Sequence, residues 1–222
     1  ANIDTLVIVF ASRPRFNPWF VWKALLAAHT AGVHPCVIQN KTDLSEDFKE
    51  AEEFLLSLKA LGYETHAISA EKATDSTIEE LDSIFNSRHS LLVGQSGMGK
   101  STILNLLVKD ANAKTQEYSQ ALNLGRQTTT VTTLYDLDRA EGFVIDSPGF
   151  QEFGLAHLTL NDIIAAMPDI AAHVGQCRFA NCKHLKEPAC SVKEAVQSGH
   201  ISQSRYDFYC AMAEQLEKTS AW

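Results

Sequence analysis

The stretch "LLVGQSGMGKST", residues 91 to 102, restricts the fold of this chain more than any other part of it. An apolar run enters Gly94, four residues lead to Gly99, Lys100 and Ser101 follow, and "TILNLLV" carries on with helical spacing. Strand, glycine-rich turn and helix in this order make a phosphate cradle, because glycines let successive backbone N–H groups wrap an anion at the positive end of a helix. In such a cradle Lys100 reaches β- and γ-phosphate oxygens and the Ser101 hydroxyl ligates Mg2+. The residues expected to line it are Gly94, Gln95, Ser96, Gly97, Met98, Gly99, Lys100, Ser101 and Thr102. A cradle of this type needs a parallel sheet behind it, and the flanking sequence supplies one. Apolar, β-branched runs at 6–10, 33–39, 65–69, 90–93, 131–135 and 143–145 read as buried strands. Helical patterns alternate with the first of them, two ending at Gly32 and Gly62 and a third opening after Asp75. That alternation predicts an α/β fold with a mostly parallel sheet covered by helices on both faces.

The second informative stretch is "VIQNKTDLS", residues 37 to 45, which ends an apolar strand with the tetrad Asn40, Lys41, Thr42 and Asp43. A carboxylate at Asp43 accepts hydrogen bonds from guanine N1–H and the exocyclic N2 amine. Adenine has neither donor there, so a buried Asp43 would be left unpaired against it, which discriminates strongly. Lys41 can lay its aliphatic stem along a base, and "HAISA" ends another strand where Ser69 and Ala70 can offer a backbone N–H to guanine O6. The oddity is order: an ordinary GTPase runs the phosphate loop first, and here the base-reading loop precedes it. If the ends of a nucleotide-binding sheet lie near each other, the chain can be joined there and cut elsewhere while each strand keeps its neighbours. The expectation is a circularly permuted GTPase domain, with Asp43 and Lys100 holding opposite ends of one nucleotide.

"FVIDSPGF", residues 143 to 150, completes the set: Asp146 for the magnesium shell and Gly149 for a backbone N–H to the γ-phosphate. Between it and the cradle, "GRQTTT" offers Thr128, Thr129 and Thr130 for the hydroxyl that closes over Mg2+, with Thr129 and Thr130 favoured. The position after Gly149 is Phe150, which cannot orient an attacking water, and Gln151 comes one place late. Gln127, just ahead of the threonines, is the expected substitute.

"CRFANCKHLKEPAC" brings Cys177, Cys182, His184 and Cys190 within fourteen residues. Three thiolates and one imidazole close a tetrahedral structural zinc site and leave no open position for catalysis. The chain has five cysteines, an odd number suited to a reducing compartment, so a cytoplasmic location is expected. Cys36 and Cys210 read as ordinary packed residues. No run of about 18 apolar residues is present to cross a bilayer. The formal charge of −8 argues against coating nucleic acid by bulk electrostatics, and Arg178, Lys183 and Lys186 around the cysteines read either as local phosphate contacts or as ordinary solvated charges. From 157 onward the pattern turns helical, in "HLTLNDIIAAMPDI" and again in "SRYDFYCAMAEQLEK". Residues 1–160 are expected to form the GTPase domain and 161–222 a small, mainly helical zinc-knuckle domain.

Taken in order, "NKTD", "ISA", "GQSGMGKST", "GRQTTT", "DSPGF" and the cysteine cluster resemble the RsgA (YjeQ) family of bacterial small-ribosomal-subunit biogenesis GTPases, over essentially the whole chain. The resemblance implies an enzyme that binds GTP and GDP with magnesium, carries structural zinc, engages the maturing small ribosomal subunit and its rRNA, and is stimulated by the subunit; a monomer is expected. It departs from the family at two points. Members usually carry an OB-fold ahead of the GTPase domain, and the residues before Leu6 are too few for one. Members also often have histidine, proposed to assist hydrolysis, where this chain has Gln127. Phe150 keeps a second reading open, a nucleotide-gated RNA- or ribosome-binding module with negligible hydrolysis.

Overall fold

The computed structural model describes residues 3–44, 48–109, 111, 132–147 and 153–219. The chain divides into two compact units, one of residues 1–24 with 31–152 and one of residues 25–30 with 153–222.

The first unit is built on a six-stranded sheet. Its strands are β1 (Thr5–Ala11), β2 (His34–Asn40), β3 (Glu64–Ala67), β4 (Arg88–Val93), β5 (Thr133–Asp136) and β6 (Gly142–Asp146), in the spatial order β3-β2-β1-β4-β6-β5. Every residue of β1 is buried, as a continuous apolar run flanked by strands on both sides should be. It pairs in parallel with β2, Phe10 opposite Gln39 and Ala11 opposite Asn40, and with β4, Ile8 opposite Val93. The chain steps outward from β1 through α1 (Pro18–Ala31) to β2, and through α2 (Phe48–Ala60) to β3. Then α3 (Asp75–Phe85) returns it to β4, on the other side of β1. The strand order therefore reverses between β1 and β4, and the loops leaving those two strands diverge over a crevice. In open α/β sheets that crevice is where ligands bind.

Local chemistry explains these elements. Thr74 caps α3 through a reciprocal box with Thr77, and Gly32 and Gly62 follow α1 and α2 with φ of 65° and 88°, the left-handed turn expected of a helix stop. α2 packs on β2 and β3, and α3 on β4 and β6. A cluster of Phe10, Phe16, Phe54 and Trp22, with neighbouring ring centroids 4.8–5.9 Å apart, fixes α1 and α2 at the head of the sheet. β5 is the one antiparallel strand among those described, Thr133 opposite Asp146. Five residues join it to β6, too few for the crossover that a parallel pair requires.

The second unit contains α5 (Leu160–Ala165), α6 (Pro168–Ala171), α7 (Ser191–Gln197) and α8 (Gln203–Thr219), α4 (Lys100–Leu107) being the helix that follows the glycine loop of the first. The sequence predicts one helical stretch over 157–170, and the structure divides it. Thr159 and Asp162 form a capping box that starts α5, and Pro168, which lacks an N–H, ends the run and opens α6 instead. α7 has no counterpart in the sequence reading. Its short seven-residue register is set by burial of Val192 and Ala195. Ile163, Ile170, Val192, Phe208, Tyr209 and Met212 make the core. Among them lies an ion pair, Arg205 Nε to Asp169 Oδ2 at 3.1 Å, with side chains only 5% and 10% exposed. A desolvated guanidinium relies there on the answering carboxylate. Asp169→Ala is expected to destabilise this unit by about 3–5 kcal/mol, measured by chemical denaturation. A loss of a few tenths would show that Arg205 escapes to water.

Candidate functional site

Three loops meet over the crevice of the first unit: the turn after β1, the loop after β2, and the glycine loop between β4 and α4. Asn40, the last residue of β2 and 1% exposed, joins two of the surrounding segments. Its Nδ2 donates to the Met98 carbonyl at 3.0 Å, and its Oδ1 accepts from the Ala70 N–H at 3.0 Å. Lys41 adopts a left-handed φ of 63°, which turns its side chain back across the crevice. Its ammonium donates to the carbonyls of Gly97 (2.7 Å) and Arg13 (2.9 Å). The Thr42 N–H donates to the Ile68 carbonyl. These contacts bring the NKTD loop directly against the glycine loop, so the two motifs separated in sequence share one crevice.

The glycine loop is held from the other side as well. The Asn17 N–H donates to Gln95 Oε1 at 2.8 Å. Two glycines are required by space. At Gly99, φ 93°, an added Cβ would run into Asn40 Nδ2. At Gly94 it would strike the Val9 carbonyl oxygen of the neighbouring strand. Met98 is buried, Ser96 and Gly97 are exposed to the crevice, and Ser101 and Thr102 stand in the first turn of α4, Ser101 exposed. Lys100 curls onto the loop, Nζ donating to the carbonyls of Gly94 (2.6 Å) and Gln95 (3.1 Å). Burial lowers its pKa from the ordinary lysine value, and the Asp146 carboxylate opposes that shift. Burial likewise raises the pKa of Asp146 while Lys100 pulls it down. Asp146 sits at the end of β6 opposite Leu92, and its Oδ1 is buried with no hydrogen-bond partner among the described residues. An orphaned carboxylate oxygen beside a phosphate cradle fits a hard divalent cation.

On the base side, Asp43 is 15% exposed. The Ser69 hydroxyl donates to its Oδ1 at 2.6 Å, and Lys72 Nζ lies 3.4 Å from its Oδ2. The Ser69 hydrogen bond is the main reason its pKa falls below the usual aspartate value, burial opposing and Lys72 assisting. The carboxylate is thus kept ionised, with acceptor capacity left over for a base edge. Gln127, Thr129, Thr130 and Gly149 lie outside the described residues.

The sequence reading missed the turn Arg13, Pro14 and Asn17, which buttresses the glycine loop, and Lys72. Neither carries a motif. The only signal was position, immediately beyond the ends of a buried strand and of the "ISA" segment.

In the second unit, Cys177, Cys182, His184 and Cys190 present ligand atoms all within 4.8 Å of one another. His184 Nδ1 is 3.4 Å from both Cys177 Sγ and Cys190 Sγ, and those two sulfurs are 3.9 Å apart. A tetrahedral zinc with ordinary bond lengths needs edges of about 3.6 Å for S–N and about 3.8 Å for S–S. The donor set and spacing fit that ion. Tyr206 and Tyr209 of α8 donate to the carbonyls of His184 and Lys183, and Glu187 accepts three backbone N–H groups, from Lys183, Leu185 and Lys186. Burial alone would raise the Glu187 carboxyl, but those donors outweigh it and hold it at about 2. For Cys177, burial opposes the thiolate and the Ser191 donors outweigh that, lowering its pKa. Burial pushes Cys182 up to about 12. A further grouping in the first unit, Cys36, Glu64 and His66, is of another kind. Glu64 there already answers Arg88, His34 and His66 at the amino ends of the strands, away from the crevice.

Displaced chain order, a glycine-rich phosphate cradle and a guanine-type base loop in one crevice define a circularly permuted P-loop GTPase. The comparisons agree. The sequence profile described as RsgA GTPase matches residues 1–156. A small ribosomal subunit biogenesis GTPase RsgA from Paraburkholderia phymatum is 43% identical over 98% of this chain and 69% of its own length. The protein of the same name from Burkholderia pseudomallei is 44% identical over the same shares. The crystal structure of YjeQ from Thermotoga maritima superposes with a TM-score of 0.74 at 28% identity, over 97% of this chain and 72% of that one. YloQ, described as a circularly permuted GTPase, has a TM-score of 0.75 over 98% of this chain and 69% of its own, and at 24% identity speaks for the fold. The chain belongs to the RsgA GTPase family.

The Asn40 side chain is the test of the crevice as a unit. Asn40→Ala leaves the Ala70 N–H and Met98 carbonyl without their partner, at an expected cost of about 1–3 kcal/mol in unfolding free energy. Amide exchange at Ala70 should quicken. Unchanged exchange there would mean that Asn40 does not tie the loops together in solution.

Proposed function

We propose that this GTPase acts in late maturation of the small ribosomal subunit, engaging the subunit and its rRNA in the GTP-bound form and leaving after hydrolysis to GDP and phosphate. The observation that carries the reading is the direct contact of Asn40 and Lys41 with Met98 and Gly97, which joins base reading and phosphate binding in one crevice. Asn40, Lys41, Thr42 and Asp43, with Ser69 and Ala70, form the base side. The segment from Gly94 to Thr102 forms the phosphate side.

Each of these residues has a defined task in that reading. Asp43, ionised and held by Ser69, accepts from the guanine edge. Lys100 exchanges its two loop carbonyls for phosphate oxygens, a trade made favourable because its ammonium is partly desolvated and bonds more strongly to anionic than to neutral oxygens. Ser101 and the unpartnered Oδ1 of Asp146 would hold magnesium, which when bound neutralises charge developing on the phosphates. Gly149 senses the γ-phosphate, Thr129 or Thr130 closes over it, and Gln127 orients the attacking water in place of the residue that Phe150 cannot supply. Cys177, Cys182, His184 and Cys190 hold structural zinc. The adjacent Arg178, stacked 5.7 Å over the exposed Phe179 ring, and Lys186 offer phosphate and base contacts to rRNA, whereas Lys183 is engaged by Glu217. The working location is the cytoplasm, and the working form a monomer. Among the described residues no helix is long and apolar enough to cross a membrane.

Turnover of GTP measured with and without small subunits tests this directly. Stimulation by subunits is expected, and Gln127→Ala should cut the stimulated rate by about 10²-fold. Absence of stimulation favours a nucleotide-gated binding module instead, and an unimpaired Gln127→Ala removes that residue from the hydrolytic step. Metal analysis should find one zinc per chain, lost in Cys190→Ala. Because the thiols must shed protons to bind it, zinc affinity should fall as the medium is acidified. Purified protein without zinc would refute the metal assignment.

A further inference from the structure

We propose that Lys72 sets the guanine-nucleotide affinity of this protein by competing with the base for the Asp43 carboxylate. The inference rests on the reading of Asp43 as the base acceptor and adds a residue that no motif assigns.

The Asp43 carboxylate has few acceptor sites to share. Of the two Asp43 oxygens, Oδ1 is taken by the Ser69 hydroxyl at 2.6 Å, and Oδ2 faces Lys72 Nζ at 3.4 Å. Guanine brings two donors, N1–H and the N2 amine, to this carboxylate, and needs its full acceptor strength. A cation already on Oδ2 weakens that oxygen as an acceptor and must shift for the base to seat. The turn that carries Lys72 is fixed relative to Asp43, because the same Ser69 hydroxyl that donates to Asp43 accepts the Lys72 backbone N–H at 3.4 Å. Yet the two partners differ in freedom. The Lys72 side chain is 69% exposed and the Asp43 side chain 15%. The ammonium can swing into water at little cost while the carboxylate cannot leave. Lys72 therefore modulates binding without blocking it, standing in for the base's donors when the crevice is empty and giving way when they arrive. Exposed ion pairs are weak and salt-screened, which limits the effect to a few-fold. Adenine places no donor at Asp43, so adenine nucleotides do not feel the competition.

The experiment is stopped-flow binding of ribose-labelled fluorescent GDP and ADP to the whole chain, with Lys72→Met, Lys72→Arg and Asp43→Asn variants. At low ionic strength Lys72→Met is expected to bind GDP about two- to fivefold tighter than the parent, mainly through faster association because the cation competes only in the empty crevice, with ADP unchanged. Lys72→Arg should behave as the parent, and the gap between Lys72→Met and the parent should close as salt is raised. A change of rotamer or packing alone would not give that salt dependence or that rescue. Equal GDP binding, or weaker binding by Lys72→Met, overturns the proposal. Asp43→Asn separates the two layers, since the amide reverses the donor pattern and should shift preference toward xanthine nucleotides. If it does so while Lys72→Met is silent, only the role of Lys72 falls. If it does not, the base-reading assignment falls with it.

Discussion

The crevice depends on one interaction above others, the grip of Asn40 and Lys41 on the backbone of the glycine loop. Neither residue needs a nucleotide to make it. The Asn40 amide holds the Met98 carbonyl and the Ala70 N–H, and the Lys41 ammonium holds the Gly97 and Arg13 carbonyls, so one strand end ties down three loops. A loop rich in glycine has much backbone entropy to lose on ordering, and a cradle for phosphate works only if its N–H groups already converge. The base motif therefore does a second task, pre-organising the phosphate end of the site. The ban on a Cβ at Gly99 follows from the same contact, since Asn40 Nδ2 occupies that space.

That grip also accounts for tolerance of a rearranged chain. What the site requires is that β2, β1, β4 and β6 stand in that order, with their carboxyl ends over one crevice. The pairing of β1 with β2 on one side and β4 on the other meets the requirement through hydrogen bonds and buried apolar area, neither of which records the direction in which the chain was connected. Joining β3 to β4 through α3, and beginning the described sheet at β1, changes connectivity only.

The second unit rests on a different balance. Its helices are short, α5 to α7 running from four to seven residues, and short helices are marginal by themselves. Fixed polar contacts supplement the core: the buried Arg205–Asp169 pair, the tyrosine hydroxyls on the knuckle carbonyls and the backbone N–H groups gathered by Glu187. The four ligand side chains converge within 4.8 Å of one another in that scaffold, so the loop is shaped by groups outside the cluster.

Read by itself, the sequence determined the strands, the alternation with helices, the permuted order and the grouping of Cys177, Cys182, His184 and Cys190, because each is carried by local signals: continuous apolar, β-branched runs, glycine stops, and side chains whose chemistry is specific at short spacing. It determined less about 157–170, where helical composition on both sides masked the break that Pro168 imposes, and it did not show α7, whose seven residues carry too little periodicity to register. Only the tertiary structure decided that Asn40 and Lys41 spend their polar atoms on the glycine loop, that the Ala70 N–H is engaged by Asn40, that the turn at Arg13 to Asn17 braces the cradle, and that Lys72 reaches Asp43. Each of these joins residues from different strand ends, and which strand ends meet is settled by sheet order and packing, which no short stretch of sequence records.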